Sequence, residues 1–256
     1  MKVYAVSDIH GRYDLFEMLK QTLQANDICY VIGDCADRGP DGWKIIKEIY
    51  EDPRFIYLKG NHEDMLVEAM KDYLKYPEDE KEFFFNHSHS YRLCRQNGGG
   101  STFKDWCHEK LNRNSWIKKL DELPLELVYI NKRGQRVILT HAGYTPHLNQ
   151  KLTSEDYLWD RYHFNYQWDE DFIDTIIVHG HTPVPHMDEY MFRMYMDAYI
   201  DCEVEPGAFW YSEDSCGRKH KVNIDSGAFF TGCLTLIDLN TWEQHLLMAE
   251  DCVYED

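Results

Sequence analysis

The chain has 256 residues, 43% hydrophobic and 28% charged, which is enough to bury a substantial core in a globular fold. Its formal net charge of −18 argues against non-specific binding to nucleic acid or to an anionic membrane. No apolar run is long enough to cross a bilayer as a helix, and Met1-Lys2-Val3-Tyr4 leads into a strand, without the apolar core of a signal peptide.

In chain order, residues 2–7 form a β-branched and aromatic run that predicts a strand ending in Asp8-Ile9-His10-Gly11. Asp14 is placed to cap a helix whose apolar residues, Leu15, Phe16, Met18, Leu19 and Leu23, keep helical spacing up to about Asn26. The buried run Ile28 to Ile32 predicts a second strand, followed by Gly33-Asp34-Cys35-Ala36-Asp37-Arg38-Gly39 and a helix over 41–51. A third strand, Phe55 to Leu58, runs into Gly60-Asn61-His62-Glu63 and a third helix. Strand, polar turn and helix thus alternate three times, which predicts an α/β sheet, at least partly parallel. Residues 77–125 are less regular, with Pro77 a helix breaker and Asn97-Gly98-Gly99 a loop.

Alternating strands return at Leu125–Asn131 and Arg136–Thr140, a hairpin joined by Lys132-Arg133-Gly134-Gln135 and leading into His141-Ala142-Gly143. Ile176–Val178 leads into His179-Gly180-His181-Thr182-Pro183, and Val222–Ile224 and Cys233–Leu239 flank Asp225-Ser226-Gly227-Ala228. With no repeat and no linker, one domain over 1–256 is the economical reading. Residues 186–221, rich in Met and Tyr, read as an insertion: either packed on the body, or forming a cap or dimer contact at the substrate opening. The eight cysteines are scattered, with no C-x-x-C pair, which fits the reduced thiols of a cytoplasmic enzyme.

Five predicted strand ends therefore present Asp8 and His10, Asp34, Asn61 and His62, His141, and His181. Carboxylate, imidazole and amide groups are hard or borderline metal ligands. One Asp-x-His carries little weight, and the 33–39 heptad alone also has a reading as a surface turn with a solvated ion pair. Five glycine-flanked sets at strand ends point to metal binding.

Together these motifs resemble the calcineurin-like metallophosphoesterases, in the phosphoprotein phosphatase branch and its small bacterial members. Asp8-Ile9-His10-Gly11 resembles D-x-H-G, residues 33–39 match G-D-x-x-D-R-G, and residues 60–63 match G-N-H-E. His141-Ala142-Gly143 resembles H-[GA]-G, and Gly180-His181-Thr182 resembles G-H-T. Ser7 departs from the Gly usual in eukaryotic members, and 186–221 matches nothing in the family pattern.

The resemblance implies an α/β fold of two mixed β-sheets packed as a sandwich flanked by helices. It also implies two divalent metal ions, manganese favoured with iron or zinc as alternatives. Asp8 and His10 would hold one, Asn61, His141 and His181 the other, with Asp34 bridging. Of the two histidines in His179-Gly180-His181, the resemblance selects His181 and leaves His179 a strand or supporting residue. With only Asp8 and Asp34 as anionic ligands, the site would keep about two positive charges for a phosphate. That answers how so acidic a chain attracts an anion.

A hydroxide generated between the metals would attack phosphorus, and His62 would protonate the leaving oxygen. Asp37 either orients His62 or forms a structural salt bridge. Arg38, and Arg161 in Trp159-Asp160-Arg161, would grip phosphate oxygens, with an ordinary surface arginine as the alternative for Arg161. Asn97-Gly98-Gly99 either borders the substrate groove or is a plain turn, and His87 and His89 read as solvated loop residues.

The first reading is a metal-dependent phosphomonoesterase acting on phosphorylated Ser, Thr or Tyr in proteins. The alternative is a hydrolase of phosphoanhydrides such as diadenosine tetraphosphate. A non-catalytic scaffold would carry damaged motifs, and none is damaged. A nuclease of the wider superfamily typically carries G-H-x-H, whereas here Thr182-Pro183 follow His181. Partners are thus a phosphoprotein or a nucleotide, with no nucleic acid and no membrane.

Overall fold

The computed structural model describes residues 1–144, 152–161, 163, 174–187, 207–213 and 219–250. Strands β1 (Val3–Val6), β2 (Ile28–Ile32) and β3 (Phe55–Leu58) alternate with helices α1 (Tyr13–Thr22), α2 (Gly42–Glu51) and α3 (Asn61–Leu74). Four short helices follow: α4 (Lys81–His87), α5 (His89–Gln96), α6 (Gly100–Cys107) and α7 (Arg113–Asp121). Then come β4 (Glu126–Ile130), β5 (Arg136–Thr140), α8 (Ser154–Trp159), β6 (Thr175–His179), β7 (Trp210–Glu213) and β8 (Lys219–Asn223). A single helical turn, Ala228–Thr231, precedes β9 (Cys233–Asp238) and β10 (Gln244–Met248).

The strands form two five-stranded sheets, in the orders β10-β9-β1-β2-β3 and β4-β5-β6-β8-β7. Both are mixed: β1, β2 and β3 run parallel, as do β5, β6 and β8, and the outer pairings are antiparallel. This is the two-sheet α/β architecture expected from the resemblance.

The two-residue period of each strand decides which layer it serves. On β1, Val3 and Ala5 face the second sheet, where they pack with Ile32, Leu58, Val137, Leu139, Val178, Val222 and Ile237. Tyr4 and Val6 face the other way, into a core shared with Leu15, Phe16 and Leu19 of α1, Ile45 and Ile46 of α2, and Leu66 of α3. A sheet covered on both faces reads as nearly continuous hydrophobic runs, which is how β1 and β2 appear in the sequence. Full burial of each such aliphatic side chain is worth about 1.5–3 kcal/mol.

The parallel arrangement positions the site. In the first sheet the carboxyl ends of β1, β2 and β3 share one edge, and in the second those of β5, β6 and β8 do the same. Loops at such ends are where open α/β sheets take ligands. Here the loops are bonded to one another, through His10 N–H to Asp34 O (2.9 Å), Gly11 N–H to Cys35 O (3.0 Å) and Gly180 N–H to His141 O (2.8 Å).

Several local expectations are revised. Helix α1 starts at Tyr13, capped by Arg12 without a side-chain bond, and Asp14 lies inside its first turn, paired with Arg12 at 2.7 Å. The helix stops at Thr22 because Asp27 builds a turn instead: its carboxylate accepts from Gln24 N (3.0 Å) and Lys2 N (2.7 Å). The irregular stretch 77–125 is largely helical, and α3 ends at Leu74, before Pro77. The segment set apart as 186–221 contributes β7 and the start of β8 to the second sheet, so its described end is sheet; residues 188–206 and 214–218 lie outside the described residues. Cys29, Cys35, Cys94 and Cys107 are free thiols. Among the described residues no helix is long and apolar enough to cross a membrane.

Candidate metal centre

The turns that carry the motif residues are strained. Asp8, His10, Asp34, Asp37, Arg38 and His181 all have φ between +47° and +71°. Side chains with a Cβ avoid this region, and clusters of such outliers mark functional sites. Gly33 shows why a glycine is needed beside them: at φ +77°, an added Cβ would lie 2.6 Å from Gly60 Cα and 2.7 Å from His141 Nδ1.

The six expected metal ligands come together and are buried. Asp34 is central: its Oδ2 lies 3.7 Å from His10 Nε2 and 3.4 Å from His141 Nε2, and its Oδ1 accepts from His62 N at 3.0 Å. Asp8 Oδ1 lies 3.8 Å from His10 Nε2, while Asp8 Oδ2 accepts from His181 N at 3.0 Å. Asn61 Oδ1 accepts from His141 Nε2 (2.9 Å) and His181 Nδ1 (3.0 Å). Donor atoms of His10, Asp34 and His62 form one compact triad and those of Asp34, His141 and His181 another, all within 4.8 Å of one another in each. Asp34 belongs to both.

Backbone carbonyls aim the rings. His10 Nδ1 donates to Ala36 O (3.1 Å) and His141 Nδ1 to Ile32 O (3.0 Å), so Nε2 of each faces the carboxylates. Such anchoring of the second nitrogen is the usual way a ligating imidazole is oriented.

Charge is tightly balanced. Burial, with the neighbouring Asp34 charge, raises the Asp8 carboxyl to about 6. Against the burial that would lower it, Asp34 raises His141 to about 10. Burial and His62 hold His10 well below its ordinary value, so it stays a neutral donor.

The donor set fits divalent cations: carboxylate and amide oxygens with imidazole nitrogens, all desolvated, and a bound cation would take the place of the proton that Asp34 holds on His141. His181 Nε2 is buried there with no hydrogen-bond partner.

His62 sits beside this cluster. Its Nδ1 is 2.9 Å from Asp37 Oδ2, and its Nε2 is 3.8 Å from Asp34 Oδ2. Burial opposes protonation of His62, but Asp34 and Asp37 raise its pKa above the ordinary value. Of the two readings for Asp37, the orienting one is the one whose contact is present. Asn97-Gly98-Gly99 backs this pair: Gly98 O accepts Arg38 N (3.1 Å), and a Cβ on Gly99 would meet Asp37 Oδ1 at 2.9 Å. Arg38 is exposed at the mouth, its charge felt by His10, His62 and Asp225. Arg161 donates Nη1 to His181 O and Thr182 Oγ1, both at 3.2 Å, which holds it at the rim. His179 closes β6, buried edge-on against His163 at 4.1 Å between ring centroids. His87 is exposed and stacks on Phe83, and the exposed His89 begins α5.

A family model for the calcineurin-like phosphoesterases matches residues 1–204. The chain belongs to that family. Among its curated relatives, the symmetrical bis(5'-nucleosyl)-tetraphosphatase of Buchnera aphidicola subsp. Schizaphis graminum is 27% identical over 150 residues, 57% of this chain and 46% of that one. This first relative is thus matched over less than half its length. The asymmetrical bis(5'-nucleosyl)-tetraphosphatase PrpE of Oceanobacillus iheyensis is 25% identical over 92% of this chain and 87% of its own. Serine/threonine-protein phosphatase 2 of Escherichia coli is 35% identical over 72 residues, 27% of this chain and 33% of that one. A crystal structure of a candidate diadenosine tetraphosphatase superposes with a TM-score of 0.58 at 14% identity, covering 98% of this chain and 94% of that one, a likeness of fold.

Three residues at this phosphoesterase centre escaped the sequence reading. Glu63, the last residue of G-N-H-E, accepts from Asp34 N (2.8 Å), Cys35 N (3.0 Å), Ala36 N (3.1 Å) and Gly60 N (2.9 Å). It knits the second loop to the third. Ser7, noted only as a departure from the family pattern, donates its hydroxyl to Asp8 Oδ2 and lies 3.2 Å from Ile32 O. Asp225 adds a further buried carboxylate, and burial together with the Asp8 charge pushes its pKa well up. That favours its neutral form and limits the negative charge at the centre. Its only sequence signal was its place at the end of a predicted strand.

Proposed function

We propose that the chain is a metal-dependent hydrolase of phosphoanhydrides in dinucleoside polyphosphates such as diadenosine tetraphosphate. The observation that carries this is the match to a bis(5'-nucleosyl)-tetraphosphatase over 92% of the chain. The ligand cluster, needed equally for monoesters and anhydrides, supports the reaction class. The relatives favour the anhydride over the phosphoprotein substrate that came first in the sequence reading.

In this reading Asp8, His10 and Asp34 would hold one divalent cation, and Asp34, Asn61, His141 and His181 the other, with manganese the favoured ion. Bound cations supply positive charge against phosphate and make water acidic enough to serve at neutral pH. The chain's own groups do the rest. Arg38 and Arg161 grip non-bridging oxygens and fix the phosphorus for in-line attack by water. His62, kept protonated by Asp37 and Asp34, faces the centre through Nε2 and gives a proton to the departing oxygen. An anhydride expels a weakly basic phosphate, so it needs that proton less than an alkyl ester does. The free thiols support a reducing compartment such as the cytoplasm.

The test compares metal-free and manganese-loaded protein on diadenosine tetraphosphate and on a phosphoserine peptide, with product analysis. Metal-dependent release of ADP, or of ATP with AMP, supports the proposal and gives the cleavage position. Preference for the peptide overturns it in favour of a protein phosphatase.

A further inference from the structure

Large aromatic side chains stand exposed beside the segments that carry His181 and Asp225. Trp159, the last residue of α8, is 39% exposed, and its ring stands edge-on to His181 with centroids 6.0 Å apart. The neighbouring Arg161 is fastened to His181 O and Thr182 Oγ1. Further along the same loop, Val184 N–H donates to Asp225 O at 2.8 Å, and His186 lies 5.1 Å from the ring of Phe230. Phe230 is 44% exposed and Phe229 is 42% exposed. Both follow Asp225-Ser226-Gly227, and the Phe230 ring covers Gly227 so closely that a Cβ there would meet it at 2.3 Å.

Loop 180–187, which carries the ligand His181, thus has an exposed aromatic ring near each of its ends, with Arg161 fastened beside the first of them. A nucleobase stacks on such rings whatever its sequence of hydrogen-bonding groups, and does so beside a charged groove that takes the phosphates. A phosphopeptide would need the charged part only. We propose that Trp159 and Phe230 are stacking platforms for the nucleobases of the substrate, making base contact a determinant of specificity. This rests on the nucleotide reading above, and it adds the residues that distinguish a nucleotide from a plain phosphate.

The experiment is isothermal titration calorimetry of manganese-loaded protein with ADP and with pyrophosphate, which share a diphosphate but differ in the adenosine. The ratio of the two dissociation constants reports the adenosine, and its change between wild type and variant reports the contact with the base. Wild type is expected to favour ADP by about 10-fold or more, the worth of one stacked base. In the double variant Trp159→Ala with Phe230→Ala that ratio should fall close to one. The conservative pair Trp159→Phe with Phe230→Tyr should keep it, which a merely structural role would not require of the ratio. A wild-type ratio near one, a ratio unchanged in the double alanine variant, or equal weakening of both ligands overturns the platforms. Turnover of diadenosine tetraphosphate is scored separately, so failure of the proposed reaction and failure of the base platforms give different results.

Discussion

Glu63 touches no substrate in this reading, yet the geometry of the centre depends on it. One carboxylate oxygen accepts from Asp34 N and Gly60 N, and the other from Cys35 N and Ala36 N. In Glu63→Gln one oxygen becomes an NH2 group that faces two N–H donors. Two hydrogen bonds to a charged acceptor are lost, each worth about 1.5–3 kcal/mol, so the expected cost is about 3–6 kcal/mol. Against a typical reserve of about 5–15 kcal/mol, that is a large fraction of the fold's stability.

Urea unfolding of wild type and variant at one pH measures this cost directly, with equal slopes showing that the two unfold alike. A second readout separates local from global damage. Asp34 sits at φ +55°, a conformation held by these bonds, so loosening them should let its carboxylate drift from the histidines. Calorimetry with manganese should then show weakened binding under conditions where the variant is still folded. A loss below about 1 kcal/mol, the worth of a single ordinary hydrogen bond, with unchanged metal affinity, would refute the claim that Glu63 anchors the loop.

Asp34→Asn should remove turnover and manganese binding together, since a neutral amide cannot serve both triads; near-normal turnover with bound metal would sink the bridging role. His62→Asn should slow alkyl phosphates far more than p-nitrophenyl phosphate or diadenosine tetraphosphate, whose leaving groups need little protonation, and equal losses would argue against His62 as the acid. Lys221 is buried, with Nζ on His163 O at 2.8 Å, and burial lowers its pKa to about 7. The unfolded chain therefore binds more protons between about pH 7 and its ordinary value, and this group's contribution to stability rises with pH across that window. Lys221→Met should raise the melting temperature at pH 6–7, by on the order of 3 kcal/mol in stability, and lose that advantage towards pH 10. An advantage independent of pH would rule out the buried charge as its source.

What could be read in the sequence follows from how locally each feature is encoded. The first two strands declared themselves because both of their faces are covered, the third because it is wholly apolar, and the ligands because each follows a strand directly. Edge strands gave less signal: β10 has Leu247 as its only fully buried residue, and β7 lies inside a stretch without a clear period. Helices α4 to α7 run only seven to nine residues each, too short for apolar spacing to stand out beside the aromatic run Phe83-Phe84-Phe85. At the centre, chemistry was legible and support was not. Glu63 reaches Asp34 across 29 positions, Ser7 reaches Ile32 across 25 and Arg161 reaches His181 across 20. Nothing in a local window announces such contacts.

Those long-range supports explain how the fold tolerates its own site. Six motif residues adopt left-handed backbone conformations that each cost about 1–3 kcal/mol, and the carboxylates of Asp8, Asp34 and Asp225 are buried close enough to feel one another's charge. Left to local preference, these turns would relax and the carboxylates would reach water. They are held instead because each loop is bonded to the next: His10 N–H to Asp34 O, Gly39 N–H to His10 O, and the Glu63 carboxylate across both loop and helix. Both ends of that network are rooted in strands whose two faces are covered by core. Binding of cations would then release electrostatic strain already built into the turns, so metal loading should stabilise the folded protein as well as arm it.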